Sequence, residues 1–321
     1  MITRREFVAA GAALASAPLA QAQSFPSRPI KMIVPFPPGG TADIQARLIG
    51  QHMSQSMGQP IVIESKPGGG TIIGTGFVAK APADGYTILL MANSFVINAK
   101  LHASTLPYEG MKAFEPIACM TNSPQVIAVN AASPHRSFKE WVDAAKAKPG
   151  TVSYATVGPA TTQHIAGEML QRATGTKLIY APFAGGTQAV NSVLAGHVDT
   201  VLANLSEMSA HLEAGKLRAL AVTTTQRLDA LKQVPTVAES GYPGYEAAAW
   251  FGLSAPAGTP RDAVARLAEA VNAALSDAEV RKKLINVGLE PYYKGPADFA
   301  AHIAQQYERY SRVIDESGIK V

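Results

Sequence analysis

The sequence predicts an α/β fold arranged as two lobes, and three observations carry that reading. Short apolar runs alternate with glycine turns and segments of helical periodicity along most of the chain, the pattern of strands covered by helices. One strand–turn–helix phrase occurs twice, as Lys31-Met-Ile-Val-Pro-Phe-Pro-Pro-Gly-Gly-Thr41 and as Lys177-Leu-Ile-Tyr-Ala-Pro-Phe-Ala-Gly-Gly-Thr187. The 321 residues are 47% hydrophobic and only 16% charged, which suits two packed cores and excludes a solvated, disordered chain.

Residues 1 to 22 read as an export leader. Arg4-Arg5 precede Phe7, an apolar run from Val8 to Leu19 and the small-x-small pattern Ala20-Gln21-Ala22, so cleavage near Ala22 and a periplasmic location are expected. The run is Ala-rich and far shorter than the roughly 20 residues that span a bilayer. Thr3 to Phe7 fits the twin-arginine export pattern, with a general secretory leader as the other route.

After the leader, Pro29 to Val34 is an apolar run bounded by prolines and reads as a strand. It feeds a Pro-Pro-Gly-Gly-Thr turn, and Ile44, Leu48, Met53 and Met57 then recur at helical spacing until Gly58 stops the helix. Ile61 to Glu64 is a second strand, followed by a glycine-rich turn and a small-residue segment ending near Lys80. Asp84-Gly85 signals a turn, and Tyr86 to Ala92 has the continuous apolar character of a strand covered on both faces. Val126 to Val129 opens a second series, in which Ser137-Phe-Lys-Glu140 supplies a capping box for a helix running to Pro149-Gly150. Strands follow at Val152 to Thr156, Leu178 to Tyr180, Val198 to Ala203 and Leu217 to Val222, separated by helices around His164, at Gln188 to Ala195 and at Ser206 to Ala214. Residues 223 to 246 are polar and punctuated by Pro and Gly, and helices at 261 to 276, 279 to 287 and 296 to 317 finish the chain.

Several functions are excluded or unsupported. The formal net charge is only +4 and no basic cluster marks a nucleic-acid footprint. The single cysteine, Cys119, sits in a buried-strand pattern and permits no internal disulfide. Gly74-Thr-Gly-Phe-Val-Ala79 matches a degenerate dinucleotide pattern, but a glycine-rich connection separates it from the strand at 61 to 64 and no acidic residue ends the strand at 86 to 92. There is no nucleophile elbow, no phosphate-binding loop and no zinc-protease helix, and the seven histidines are dispersed. No catalytic residue, metal or cofactor is expected.

The repeated phrase is the best functional signal. Glycines permit φ > 0 and can aim successive amides inward, while the following helix presents unpaired N–H groups and a positive dipole end, so each copy reads as an anion cradle with Thr41 or Thr187 adding a hydroxyl. Two facing cradles would close on a small carboxylate. Strand–glycine–helix syntax is also generic in α/β proteins, so a purely structural role stays open. His164 suits either a ligand contact or a capping or core role. Asp43 is placed to complement the helix dipole or to receive a ligand amine. Trp141 and Trp250 read as core anchors.

The segments Pro29 to Asp43, Gly58 to Glu64, Lys66-Pro-Gly-Gly-Gly70, Ala83-Asp-Gly-Tyr-Thr87, Thr162-Gln-His-Ile-Ala-Gly-Glu168, Ala214 to Val222, Val234 to Glu239 and Trp250 to Pro260 resemble, in unbroken order, the Bug (TctC-like) receptors of tripartite tricarboxylate transporters. The resemblance implies a bilobed periplasmic binding protein of the type II-like class, with residues 24–124 plus 247–321 in one lobe, 125–246 in the other, and crossing strands at Val126 to Val129 and Trp250 to Ser254. It implies a soluble monomer that captures a small carboxylate, a di- or tricarboxylate or an aromatic acid, for inner-membrane permease subunits. Signalling to a sensor kinase is the alternative, and a hydrolase or isomerase on the same scaffold the remoter one. The implied ligand-binding set from the first lobe is Phe36, Pro38, Gly39, Gly40, Thr41, Asp43, Gly70, Thr71, Ile72, Asn93 and Ser94. From the second lobe it is Thr156, Gly158, Thr161, Thr162, His164, Phe183, Gly186, Thr187 and Asn204. Two departures stand out: Val157-Gly-Pro-Ala-Thr-Thr162 replaces the family's Ala-Gly-Asn-Gly-Thr-Ser, and Phe183-Ala-Gly185 replaces Tyr-Lys-Gly. Loss of that lysine leaves room and apolar surface for a bulkier or flatter acid.

Overall fold

The computed structural model describes residues 25–319, so the expected leader lies outside the described residues. In chain order the elements are β1 (Ile30–Val34), α1 (Thr41–Met57), β2 (Ile61–Ser65), α2 (Ile72–Ala79), β3 (Thr87–Ala92), α3 (Ser94–Leu101), β4 (Phe114–Asn130), α4 (Phe138–Ala147), β5 (Ser153–Val157) and α5 (Thr162–Thr174). They continue as β6 (Ile179–Phe183), α6 (Gly186–Leu194), β7 (Thr200–Asn204), α7 (Leu205–Glu213), β8 (Leu217–Val222), β9 (Ala248–Pro256), α8 (Arg261–Ser276), α9 (Ala278–Asn286), β10 (Glu290–Lys294) and α10 (Pro296–Ser317). Among the described residues no helix is long and apolar enough to cross a membrane.

The first lobe is built on β2-β1-β3, which are parallel, with β9 antiparallel to β3, and β4 antiparallel to β9 and to β10. Alternation along the strands sends Ile30, Met32, Ile88 and Leu90 to the face packed under α1 and α8, where Ile49, Met53, Leu267 and Val271 meet them. Ile33, Leu89 and Met91 face the other way, against Phe95, Ile97 and Phe299. These side chains are almost wholly buried, and each stabilises the fold by roughly 1.5–3 kcal/mol relative to exposure. The second lobe repeats the scheme: β7, β5 and β6 are parallel, and β4 is antiparallel to both β7 and β8. Ile127, Val129, Tyr154 and Leu202 pack on Trp141 and Leu170, while Val126, Ala155 and Val201 pack on Val190, Val193 and Met208.

β4 belongs to both lobes. Its pairing with β9 runs as far as Pro124↔Ala248, and the next residue begins the pairing with β7 at Gln125↔Asn204. Beside this point Thr223 Oγ1 donates to the carbonyls of Gln125 and Ala247, and Ala247 N donates to Thr223 O, so the chain returns next to where it left.

The sequence reading differs from this fold in four places. The 17-residue β4 is one continuous strand, joining the buried-strand pattern around Cys119 to the strand expected at Val126 to Val129. α3 and β10 were not expected. β6 extends to Phe183 and α6 begins at Gly186, so the expected turn is shorter than its sequence suggested. At α4 the Ser137 Oγ accepts Glu140 N, but the Glu140 carboxylate reaches back to Arg136 N at 2.7 Å, one residue beyond the expected box. Trp141 and Trp250 are both buried, the former donating to Thr200 Oγ1 at 2.7 Å.

Candidate functional site

The two Gly-Gly-Thr turns, 146 residues apart in sequence, meet face to face. Thr187 Oγ1 donates to Gly39 O at 3.1 Å, and Gly185 lies so close to Pro37 that a Cβ there would sit 3.3 Å from its Cγ. Behind them Thr41 is buried, its Oγ1 accepting from Asn204 Nδ2 at 3.0 Å and lying 2.7 Å from Ser206 Oγ. The left-handed residue of the first turn is Gly39 (φ 79°), which bends the chain so that its own N–H caps back onto Asp43 Oδ2 at 3.0 Å. Gly40 has φ −87°, so it is not the residue that needs glycine's freedom.

Between the turns lies a cavity of about 160 Å³. Of the residues singled out from sequence, Phe36, Pro38, Gly40, Thr41 and Ser94 line it from the first lobe, and Thr161, Thr162, Gly186, Thr187 and Asn204 from the second. Phe251 and Ala249 of β9 form part of its wall. A second cavity of about 490 Å³ shares Phe36, Pro37, Val157 and Thr161 with it. Gly70, Thr71, Gly158 and Phe183 line this outer space, together with Pro67, Pro159, Pro182 and Ala184. Its walls are proline, glycine and aromatic surface without a charged group.

The outer turns are shaped by backbone in the left-handed region. Gly68, Gly69 and Gly70 all have φ > 0, and Thr71 follows at 86°. Asn98 on α3 holds this turn, its Nδ2 donating to Gly70 O at 2.6 Å and to Thr71 Oγ1 at 3.4 Å. Across the cleft Ala160 adopts φ 59°, at the position where the resembled family carries glycine. Thr161 caps α5, accepting from His164 N at 3.3 Å while its hydroxyl donates to Gly158 O at 2.8 Å.

Six of the expected residues line neither cavity. Asp43 is engaged by Gly39 N and by Arg47; burial pushes its carboxyl up, but those partners outweigh burial and hold it below its ordinary value. Gly39 contributes backbone to the turn, and Ile72 begins α2. Asn93 ties the strands to α10: its Oδ1 accepts Trp250 N at 2.8 Å and its Nδ2 donates to Tyr310 Oη at 2.9 Å. Thr156 Oγ1 donates to Val157 O. His164 is 6% exposed with its ring 4.6 Å from that of Tyr180, and burial lowers its pKa against the opposing pull of Glu168.

Glu207 was missed. It sits in the first turn of α7 and, among the described residues, is the one ionisable side chain lining either cavity. Its Oε2 accepts Asn204 N at 3.1 Å, and Thr41 N points at Oε1 from 3.5 Å. Gly186 touches the same carboxylate: a Cβ at 186 would stand 2.0 Å from Oε2. Burial raises the carboxyl's pKa, with the N–H groups of Asn204 and Thr41 opposing. The spacing Asn204-x-x-Glu207 is a helix-start signature that could have drawn attention to it.

Residues 45–319 match the family described as tripartite tricarboxylate transporter family receptor, TctC. Protein BugT of Bordetella pertussis (strain Tohama I) is 34% identical over 301 residues, covering 94% of this chain and 92% of its own. Among solved structures, R. palustris Rpa4515 with adipate superposes with a TM-score of 0.89 at 33% identity, over 92% of this chain and 99% of that one. MatC from Rhodopseudomonas palustris with bound malate superposes at 0.85 with 29% identity, over 90% and 100%. With the bilobed fold and the paired turns in place, these matches make the chain a member of the TctC family of tripartite tricarboxylate transporter receptors, of the Bug type.

Proposed function

We infer that this chain is a periplasmic receptor that captures a small organic carboxylate between its lobes and hands it to the permease subunits of a tripartite transporter. The observation that carries the reading is the meeting of the two Gly-Gly-Thr turns around a cavity walled by hydroxyls, amides and two helix N-termini. Such groups replace water around a carboxylate without a cation. Adipate and malate in the two Rhodopseudomonas relatives support the ligand class. We assign residues 24–124 with 247–321 to one lobe and 125–246 to the other, with β4 and the start of β9 as the hinge about which the cleft closes. The family and the similar solved structures are solute-binding proteins, which favours capture over catalysis.

The ligand class can be narrowed. The outer cavity is apolar, Ala184 lines it where relatives commonly carry lysine, and Phe183 offers a ring face. We therefore assign the inner cavity to one carboxylate and the outer one to an apolar or aromatic body. A thermal-shift panel of mono-, di- and tricarboxylates tests this, because a ligand bound only by the native state stabilises it by about 2.7 kcal/mol at a hundredfold excess over Kd. Aromatic and longer aliphatic acids are expected to raise Tm most. A response confined to citrate-like tricarboxylates would contradict the narrowing, and no response to any acid would contradict the function.

A further inference from the structure

Glu207 puts a carboxylate in the place the cleft offers to a ligand's carboxylate. Three helix starts converge on it. At its own, Asn204 N donates to Oε2; at α1, Thr41 N approaches Oε1; at α6, Gly186 is in van der Waals contact with the whole carboxyl group. An acid entering this 160 Å³ cavity must lie beside Glu207, since no cation lines the space to separate them. Two carboxylates in contact at one site repel each other strongly enough to raise the pKa of one of them, so that it takes a proton. Asn204, 2% exposed and lining the cavity, closes a capping box with Glu207: its side chain accepts from the Glu207 backbone and its own N–H donates to Oε2, which fixes the carboxyl group at the wall.

We propose that Glu207 is the specificity-determining residue of the cleft, holding one proton in common with the bound ligand's carboxylate, so that each ligand is taken up together with one proton. The proton comes from solvent and forms an O–H bond on one of the two carboxyl groups, which then donates to the other's oxygen. No other bond forms or breaks. Burial already pushes the Glu207 carboxyl above its ordinary range, and no neighbouring charge contributes to that shift. The titratable and charged groups on the helices packed against it are few. α1 carries Asp43 and Arg47, paired with each other at 2.9 Å, and His52 further along; α7 carries His211 and Glu213; α6 carries none. None of them supplies the cation that would let both acids stay charged.

The inference rests on the carboxylate reading above, and calorimetry separates the two. Hexanoate, benzoate, adipate and malate are titrated into the purified protein at pH 5.5, 6.5 and 7.5, in two buffers of different ionisation enthalpy so that protons are counted directly. With wild-type protein we expect one proton taken up per ligand at the upper pH values, and a Kd that weakens about tenfold per pH unit there. Glu207→Gln keeps the shape and supplies its own N–H donor, so it is expected to bind with no proton uptake and a flat pH profile. A wild-type protein that binds any of these acids with no proton uptake overturns the role of Glu207, whatever the variant does. Retained uptake in Glu207→Gln assigns the proton elsewhere and also overturns it. Failure of all four acids to bind at any pH overturns the carboxylate reading itself.

Discussion

The two Gly-Gly-Thr turns share a sequence and differ in what they do with it. In the first, Gly39 turns left-handed, Thr41 is buried in a network with Asn204 and Ser206, and the helix start is fixed from both sides. In the second, none of the residues has φ > 0, Gly185 is extended at φ −158°, and Thr187 is exposed with its hydroxyl reaching over to Gly39 O. The first turn is therefore a rigid receiving surface, and the second a latch whose glycine is demanded by contact. Gly186 has no side chain because the Glu207 carboxylate fills that space. Identical motifs carry different constraints when their neighbours differ, and Glu207 crowds residue 186 from within its own lobe.

The comparison is broken most severely at residue 186. Gly186→Ala drives a methyl into Glu207 and should destabilise by about 1–3 kcal/mol through overpacking. Urea denaturation measures it, and Gly186→Ala combined with Glu207→Ser should recover most of the loss. The corresponding change in the other turn, Gly40→Ala, meets Glu207 Oε1 only at 3.6 Å and is expected to cost a few tenths as a helix-start substitution. Equal losses at 40 and 186 would remove the distinction.

The threonines give the next contrast. Thr41→Val strips the acceptor from Asn204 Nδ2 in a buried network and should cost about 1–2 kcal/mol. Thr187→Val, at the surface, should stay within about 0.5 kcal/mol while weakening ligand retention. Stopped-flow release of a bound acid checks the second half: faster release from the Thr187 variant marks the latch, and an unchanged rate denies it.

The smallest effect separates the two glycines of the first turn. Gly39→Ala must hold a left-handed backbone and should lose about 1 kcal/mol, whereas Gly40→Ala at φ −87° should not. Comparing the two by thermal denaturation sharpens the assignment of the strained position from the pair to a single residue.

Much of this architecture can be read from local signals. β1, β2, β3 and the helices after them are bounded by proline and glycine and patterned by burial on one or both faces, so short-range periodicity suffices. β4 resisted because Pro116 and Pro124 look like terminators, yet the strand absorbs Pro116 beside a register shift and uses Pro124 as its last partner in one sheet before entering the other. α3 is hard to see because its buried Phe95, Val96 and Ile97 are consecutive, without helical spacing. At the site, the turns were legible because glycine chemistry is local. Glu207 was not, since its importance comes from Gly186 on the neighbouring helix of its own lobe and from Thr41 across the cleft, contacts that only tertiary packing makes. Asn93 and Asp43 were legible as polar residues near the turns, but sequence cannot say that their hydrogen bonds are spent inside the fold.

The lone thiol lies within β4 and has a practical consequence. Cys119 is fully buried, its S–H donates to Phe251 O at 3.4 Å, and burial pushes its pKa up to about 12. At neutral pH it holds almost no thiolate and ignores alkylating reagents. A cysteine introduced at the exposed Thr187 position would then be the sole labelling site on the chain, so a single environment-sensitive dye could report cleft occupancy without first removing the native cysteine.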